Sequence, residues 1–319
     1  MKFQRIFKTC ISTLAVGMIS VFAAQAADKP DTINVSYVKS PFNLQLMVTK
    51  KLGLLDKEFG KDGITISWHD LTSGAHQTQA MAAGSLDIGG VVGSASILLA
   101  NGGGNPVKII GGVSRPQETF ALVVPADGAT SIPGLKGKTI AGPKGTTLHQ
   151  MLLAALAREN MEASDVNLVT MDLPKARAAL LGGHVDGALL AATHVINAEK
   201  AGARVLVTAA GLISPTLVIA AREGFVTDHP DLVKRYLKVH KEAMAYIRDH
   251  EAEALAIGAE EQGLSAEDAE KLYKWAGLTN RLVPEDAESL QADMDFLVEN
   301  GLMRQPIDLG AVILPVSFE

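Results

Sequence analysis

The pattern that most constrains this chain is one it contains twice. AMAAGSLDIGGV (residues 80–91) and ALLGGHVDGALL (179–190) share an alanine-rich apolar run and a glycine, followed two and three positions later by an apolar residue and an aspartate. A helix that stops in a left-handed glycine, Gly84 or Gly183, and passes at once into an apolar strand produces this order. Upstream, ITISWHDL (64–71) and VNLVTMDL (166–173) match again, as alternating strands that end in Asp-Leu. INVSYV (33–38) opens the first copy and KTIAG (138–142) the second, each feeding a turn and then a helical pattern. Strands alternating with helices, written twice, predict two α/β units built on parallel sheets. Asp87 and Asp186, each between a helix end and a strand, read as turn-stabilising residues.

Between the copies lies ETFALVVPADG (118–128), too apolar for a loose linker and read as the chain crossing from one unit to the other. The return crossing is GLISPTLVIAA (211–221), where Ser214-Pro215 interrupts an extended run. Beyond Asp228 the chain is helical. His229-Pro230 starts a helix with Leu232, Val233, Tyr236, Leu237, Met244 and Ile247 on one face, and two further helices close at Gly277 and Gly301. Two crossings put these helices back with the first unit. The expected division is residues 27–118 and 215–319 in lobe one and 119–214 in lobe two.

Residues 1–26 read as a secretory signal: Lys2, Arg5 and Lys8 precede an apolar stretch from Ile11 to Ala24, and Ala24-Gln25-Ala26 is a small-x-small cleavage site. The apolar stretch is shorter than the ~20 residues a spanning helix needs. Cleavage removes three cations and no anions, leaving 26 Lys and Arg against 35 Asp and Glu, a net charge of −9. Such a chain is poorly suited to nucleic acid or anionic membranes. The single cysteine, Cys10, leaves with the signal, so the mature chain has neither disulfide nor thiolate chemistry. With 47% hydrophobic residues it has the material for two buried cores, and the expected product is a soluble periplasmic monomer.

In open parallel sheets ligands sit at the carboxyl ends of strands, where helices begin and backbone N–H groups point outward. The turns at those positions are Ser40-Pro41-Phe42, Ser73-Gly74 with His76, Gly93-Ser94, Lys144-Gly145-Thr146-Thr147, and Ala192-Thr193-His194. Gly145-Thr146-Thr147 is the best anion candidate, since glycine permits close backbone approach and the helix start and two hydroxyls supply donors. Thr147 and Gln150 also fit a capping box, so capping and ligand contact both stand as readings of Thr147. Arg115, just before the first crossing, could bring a guanidinium to an anion, or lie on the surface. Pro215, at the return crossing, completes the candidate set.

Catalytic patterns are missing. GLKGKT (134–139) lacks the first glycine of a P-loop and is followed by a strand, and Gly112-Val113-Ser114-Arg115-Pro116 lacks the last glycine of a nucleophile elbow. The eight histidines show no metal-ligand spacing, and no carboxylate pair suggests acid–base work. No cofactor, metal or enzymatic activity is expected. Trp68 and Trp275 fall where no aromatic stacking site is evident.

INVSYVKSP, KKLGLLDKEF, AMAAGSLDIG, LKGKTIAGPKGTTLHQMLLAAL, ARAALLGGHVDGALL and HPDLVKRYLKVH follow one another as in the periplasmic substrate-binding proteins of ABC importers for aliphatic sulfonates, taurine and nitrate, and the chain resembles that family over nearly its whole mature length. The resemblance implies a two-lobe periplasmic binding protein fold of type II, with lobes joined by two crossing strands and a cleft between them. It also implies partners, an inner-membrane permease and its cytoplasmic ATPase. In sulfonate binders the turn matching GPKGTTLH helps hold the sulfonate, so Lys144, Gly145, Thr146, Thr147 and His149 carry over. Two positions depart: Ala191-Ala192-Thr193-His194 replaces a Trp-Asp-Pro-like turn, and Gly93-Ser94 replaces Gly-Asp. A buried ammonium needs a carboxylate partner, so the missing acids favour an anion without an amine, sulfonate-like or carboxylate-like. The alternatives are a thiamine-precursor pyrimidine or other aromatic heterocycle as ligand, or a biosynthetic enzyme of the same fold. The pyrimidine synthase that shares the fold needs a cysteine cluster absent here. A regulator's effector domain would need a helix-turn-helix segment where the signal stands.

Overall fold

The computed structural model describes residues 29–38 and 42–319, so the expected signal and the candidates Ser40 and Pro41 lie outside the described residues. The first unit runs β1 (Thr32–Tyr37), α1 (Leu44–Lys51), α2 (Leu54–Phe59), β2 (Thr65–Asp70), α3 (Gly74–Ala82), β3 (Ile88–Gly93), α4 (Ser94–Gly102) and β4 (Val107–Ser114). The chain then crosses to β5 (Phe120–Val124), β6 (Thr139–Gly142), α5 (Thr147–Arg158), β7 (Asn167–Thr170), α6 (Leu173–Leu181), β8 (Gly187–Ala191), α7 (Thr193–Lys200) and β9 (Arg204–Thr208). It returns through β10 (Leu217–Arg222) to α8 (Glu223–Asp228), α9 (Pro230–Asp249), α10 (Glu251–Gln262), α11 (Ala266–Ala276) and α12 (Pro284–Glu299). Among the described residues no helix is long and apolar enough to cross a membrane.

Two five-stranded sheets result, in the orders β2-β1-β3-β10-β4 and β7-β6-β8-β5-β9. They are the same sheet made twice: β1, β2 and β3 are parallel, as are β6, β7 and β8, and in each sheet one strand contributed across the junction runs antiparallel. β5 and β10 are those strands. Each lies inside its sheet, and nearly every residue along it is buried, which explains why both segments read as continuous apolar runs. The passages between the sheets themselves are short, at 115–119 and 209–216.

The repeated aspartates do matching work. Asp87 Oδ2 accepts the N–H of Asn34 at 2.9 Å and Asp186 Oδ2 accepts that of Thr139 at 2.9 Å. In return the N–H groups of Asp87 and Asp186 donate to the carbonyls of Asn34 and Thr139. Each carboxylate ties the loop before the third parallel strand to the start of the first. Gly84 and Gly183 end α3 and α6 in left-handed geometry, at φ 72° and 69°.

Candidate functional site

Three helices begin at strand ends facing a cavity of about 100 Å³ between the two sheets. α3 starts after Ser73, α4 after Gly93 and α5 after Thr146, and none of these residues caps its helix with its side chain. The first-turn N–H groups of α3 and α5 are therefore not occupied by a cap side chain, and the positive ends of the helices add to their pull on an anion. α6 is different, because Asp172 caps it by accepting the N–H of Lys175. Thr72, Ser73, Ser96, Thr146 and Thr147, all hydroxyl-bearing, are among the residues that line the cavity. Val38, Phe120, Leu148, Leu173 and Leu217 form its apolar wall. No lysine, arginine or histidine is among the described residues that line it.

Glycines allow close approach at the cavity, between the lobes at Gly93 and within lobe one at Gly74. A Cβ on Gly93 would stand 2.7 Å from Thr147 Oγ1, and one on Gly74 would stand 2.7 Å from Ser96 Oγ. Gly145 turns the chain at φ 73°, and its carbonyl accepts from Ser96 across the lobes at 3.4 Å. Thr146 donates its hydroxyl to the Pro143 carbonyl at 2.9 Å, bracing the turn. His149 is buried and accepts the Gly145 N–H on Nδ1 at 3.3 Å. Burial, helped by the Lys144 ammonium, pushes its imidazole down to about 4, so it holds the turn as a neutral group.

A model of the family described as NMT1/THI5 like matches residues 57–254. The chain belongs to this family. Among relatives of this NMT1/THI5-like protein, one from Bacillus subtilis (strain 168) named for binding aliphatic sulfonates is 28% identical, over 84% of this chain and 82% of the relative. The taurine-binding periplasmic protein of Escherichia coli (strain K12) is 33% identical over 59% of each chain. In fold, the chain is similar to the alkanesulfonate-binding protein SsuA from Xanthomonas axonopodis pv. citri bound to MOPS, with a TM-score of 0.80, 22% identity, and coverage of 90% of this chain and 99% of that one. The NMT1/THI5-like chain thus has the periplasmic binding protein fold, and the relatives named here are binding proteins rather than enzymes.

Of the residues singled out in the sequence, Ser73, Gly74, Gly93, Thr146 and Thr147 meet at the cavity. Thr193 and His194 line an outer groove of about 370 Å³ that shares Thr72, Asp172 and Leu173 with it. Burial first, then the charge of Arg177, lowers the His194 imidazole to about 4. Ala192 is fully buried at the start of α7 in an unusual backbone geometry, φ 49° and ψ −118°.

Others are elsewhere. Phe42 is buried in the lobe-one core, where a Cβ on Gly258 of α10 would stand 2.5 Å from its ring. His76 and Lys144 are exposed. Ser94 is buried with its hydroxyl on Asp293 at 2.8 Å. Arg115 and Pro215 line a separate groove beside the crossings, where Arg115 is bound to Asp286 and does not face the cavity. The capping box also differs from expectation: Thr146 is the N-cap, and the Gln150 amide reaches Asp293 at 2.6 Å instead of folding back on its own helix.

Sequence reasoning missed Phe120, Gln77 and Asp172. Asp172 had a signal, because it ends the repeated Asp-Leu strand and so falls at a carboxyl edge. It places an acid at the cleft wall where none was expected. Its carboxylate is held by the Lys175 backbone N–H and by Lys175 Nζ at 2.9 Å, and the bonds to Lys175 keep it below the usual carboxylate range.

Proposed function

We propose that this chain is the periplasmic solute-binding component of an ABC importer, exported by residues 1–26, and that its inter-lobe cleft takes a small organic anion, with sulfonates first. The observation that carries this is the convergence of uncapped helix starts from both lobes on one partly apolar cavity whose described lining holds no cation. A sulfonate spreads its charge over three oxygens and can be met by several N–H and hydroxyl donors without a guanidinium, while its organic part contacts the apolar wall. Because Asp172 already has its partner, a ligand ammonium would gain little there, which supports an anion without an amine. The names of the relatives agree with this class, and the delivery partner is a membrane permease driven by an ATPase.

The second reading, an aromatic heterocycle such as a thiamine-precursor pyrimidine, is supported by Phe120, the one aromatic side chain among the described lining residues. Thermal unfolding of the mature chain with butanesulfonate, MOPS, taurine, benzoate, nitrate and a hydroxymethylpyrimidine separates the two. A ligand at one hundred times its Kd adds about 2.7 kcal/mol. A shift with alkyl sulfonates and not with taurine is expected. A shift with the pyrimidine alone would replace the anion reading, and no shift with any of them would remove it.

A further inference from the structure

Behind the cavity, one carboxylate joins the two helix starts that face each other across it. Asp293, on α12, is 5% exposed; it accepts the hydroxyl of Ser94, the first residue of α4, at 2.8 Å and the amide of Gln150, in the first turn of α5, at 2.6 Å. Ser94 and Gln150 are themselves 0% and 2% exposed. Ser94 follows Gly93, and Gln150 lies one turn beyond Thr146, so both neighbours of the carboxylate are anchored next to residues that line the cleft. The other atom of the Gln150 amide, Oε1, is buried with no hydrogen-bond partner. The side chain is thus oriented by Asp293 alone among the described residues.

We infer that Asp293 is a positioning residue for solute binding, a polar link from the late helices that holds the start of α5 in lobe two against the start of α4 in lobe one. The inference rests on the reading of this cleft as the solute site. Chemistry supports a polar rather than a packing role, since burying a carboxylate is costly unless its lone pairs are used, and here one oxygen serves each lobe. Among the described residues no charged group offsets the burial: α4 carries no ionisable side chain, and His149, beside Gln150 on α5, is neutral. Burial pushes the Asp293 carboxyl up to about 6, against the lowering effect of its two hydrogen bonds.

The geometry separates a link from a space-filler. Asparagine in place of Asp293 can still accept from Ser94, and its amide can donate to a turned Gln150 side chain, satisfying the atom now unpartnered. Leucine has nearly the same shape and can do neither. In mature protein, whose only cysteines would be introduced by Lys61→Cys and Glu159→Cys, spin labels on the two lobes report the inter-lobe distance with no solute added. The native chain and Asp293→Asn should give the same short, narrow distribution, whereas Asp293→Leu and Gln150→Leu should each give a longer, broader one, with the double variant no broader than either single variant. Butanesulfonate affinity should fall about tenfold or more with Asp293→Leu and stay near the native value with Asp293→Asn. A native-like distribution in Asp293→Leu, or broadening in Asp293→Asn equal to that in Asp293→Leu, would overturn the inference. Absence of butanesulfonate binding by the native chain would count against the anion reading alone, because the distances are measured without it.

Discussion

Gly93 and Thr147 face each other across the two lobes at such close range that a methyl group built on Gly93 would stand 2.7 Å from Thr147 Oγ1. The Gly93 backbone is ordinary, with φ −74° and ψ 142°, so alanine costs nothing in conformation there and acts only by contact. Gly93→Ala is expected to push α5 away from α4, weakening binding of whichever panel anion the native chain takes by about tenfold. Its melting temperature should be nearly unchanged, because the lobes can part to relieve the clash. Adding Thr147→Ala removes the hydroxyl that the methyl meets and should bring the inter-lobe distance back toward the native value. An unaltered distance and affinity in Gly93→Ala would show that the two residues do not set the gap.

The duplicated α/β framework was legible in the sequence because its signals are local. Gly84 and Gly183 mark helix ends, Asp87 and Asp186 mark the turns after them, and each lies within a few residues of the pattern that identifies it. The helix-start turns were legible for the same reason. What could not be read is which residues outside the repeats reach those turns. Asp293 lies 199 residues from Ser94 and 143 from Gln150, and nothing in its own helix distinguishes it from other acids such as Asp286 or Asp295. Phe120 was legible as a strand residue but not as a cavity wall, since its position depends on β5 being inserted inside the second sheet. Arg115 stayed open between anion contact and surface residue because its partner, Asp286, belongs to a helix 171 residues later.

Ala192 holds a backbone geometry that L residues rarely adopt, φ 49° with ψ −118°, at the sharp passage from β8 into α7. Its N–H is fixed by the Thr119 carbonyl at 2.9 Å, so it cannot relax without breaking the contact with the first crossing. Glycine reaches this region without steric cost, and the relief, about 1–3 kcal/mol, should exceed the entropy glycine adds to the unfolded chain. Ala192→Gly is expected to raise the denaturation midpoint by about 1 kcal/mol in stability. A lower midpoint would mean that the geometry is not strained.

Stability should fall as pH drops from about 6.5 to 4. Burial lowers the His149, His194 and His240 imidazoles from 6.5 to about 4 in the folded chain, so the unfolded chain binds protons there that the folded one refuses. Asp293 acts oppositely, because its folded carboxyl, raised from 3.8 to about 6, takes its proton first and favours folding as pH falls through 6. Three groups against one leave a net loss on acidification. Denaturant titrations at pH 7.5, 6 and 5 should show it, and His240→Gln should flatten the slope by up to about 1.4 kcal/mol per pH unit. Equal slopes in the native chain and His240→Gln would show that His240 is not held neutral by its burial.

Arg115 offers the sharpest test of where the cleft ends. Its Nε donates to Asp286 Oδ1 at 2.6 Å and a second guanidinium nitrogen bonds the other oxygen, while the same carboxylate accepts the Val283 N–H at 2.8 Å at the start of α12. The Asp286 side chain is 4% exposed, so loss of the guanidinium strands a buried charge. The Arg115 backbone is held as well, its N–H donating to the Gly277 carbonyl at 2.9 Å. These bonds fasten the first crossing to the late helices, at residues that line a groove separate from the cavity. Arg115→Met is therefore expected to lose about 2 kcal/mol of stability in denaturant titrations, while the affinity for the panel anion, measured calorimetrically well below the transition, stays within about a factor of two. A selective loss of affinity at native-like stability would instead put the guanidinium on the solute, and with it a cation that the described lining of the cavity lacks.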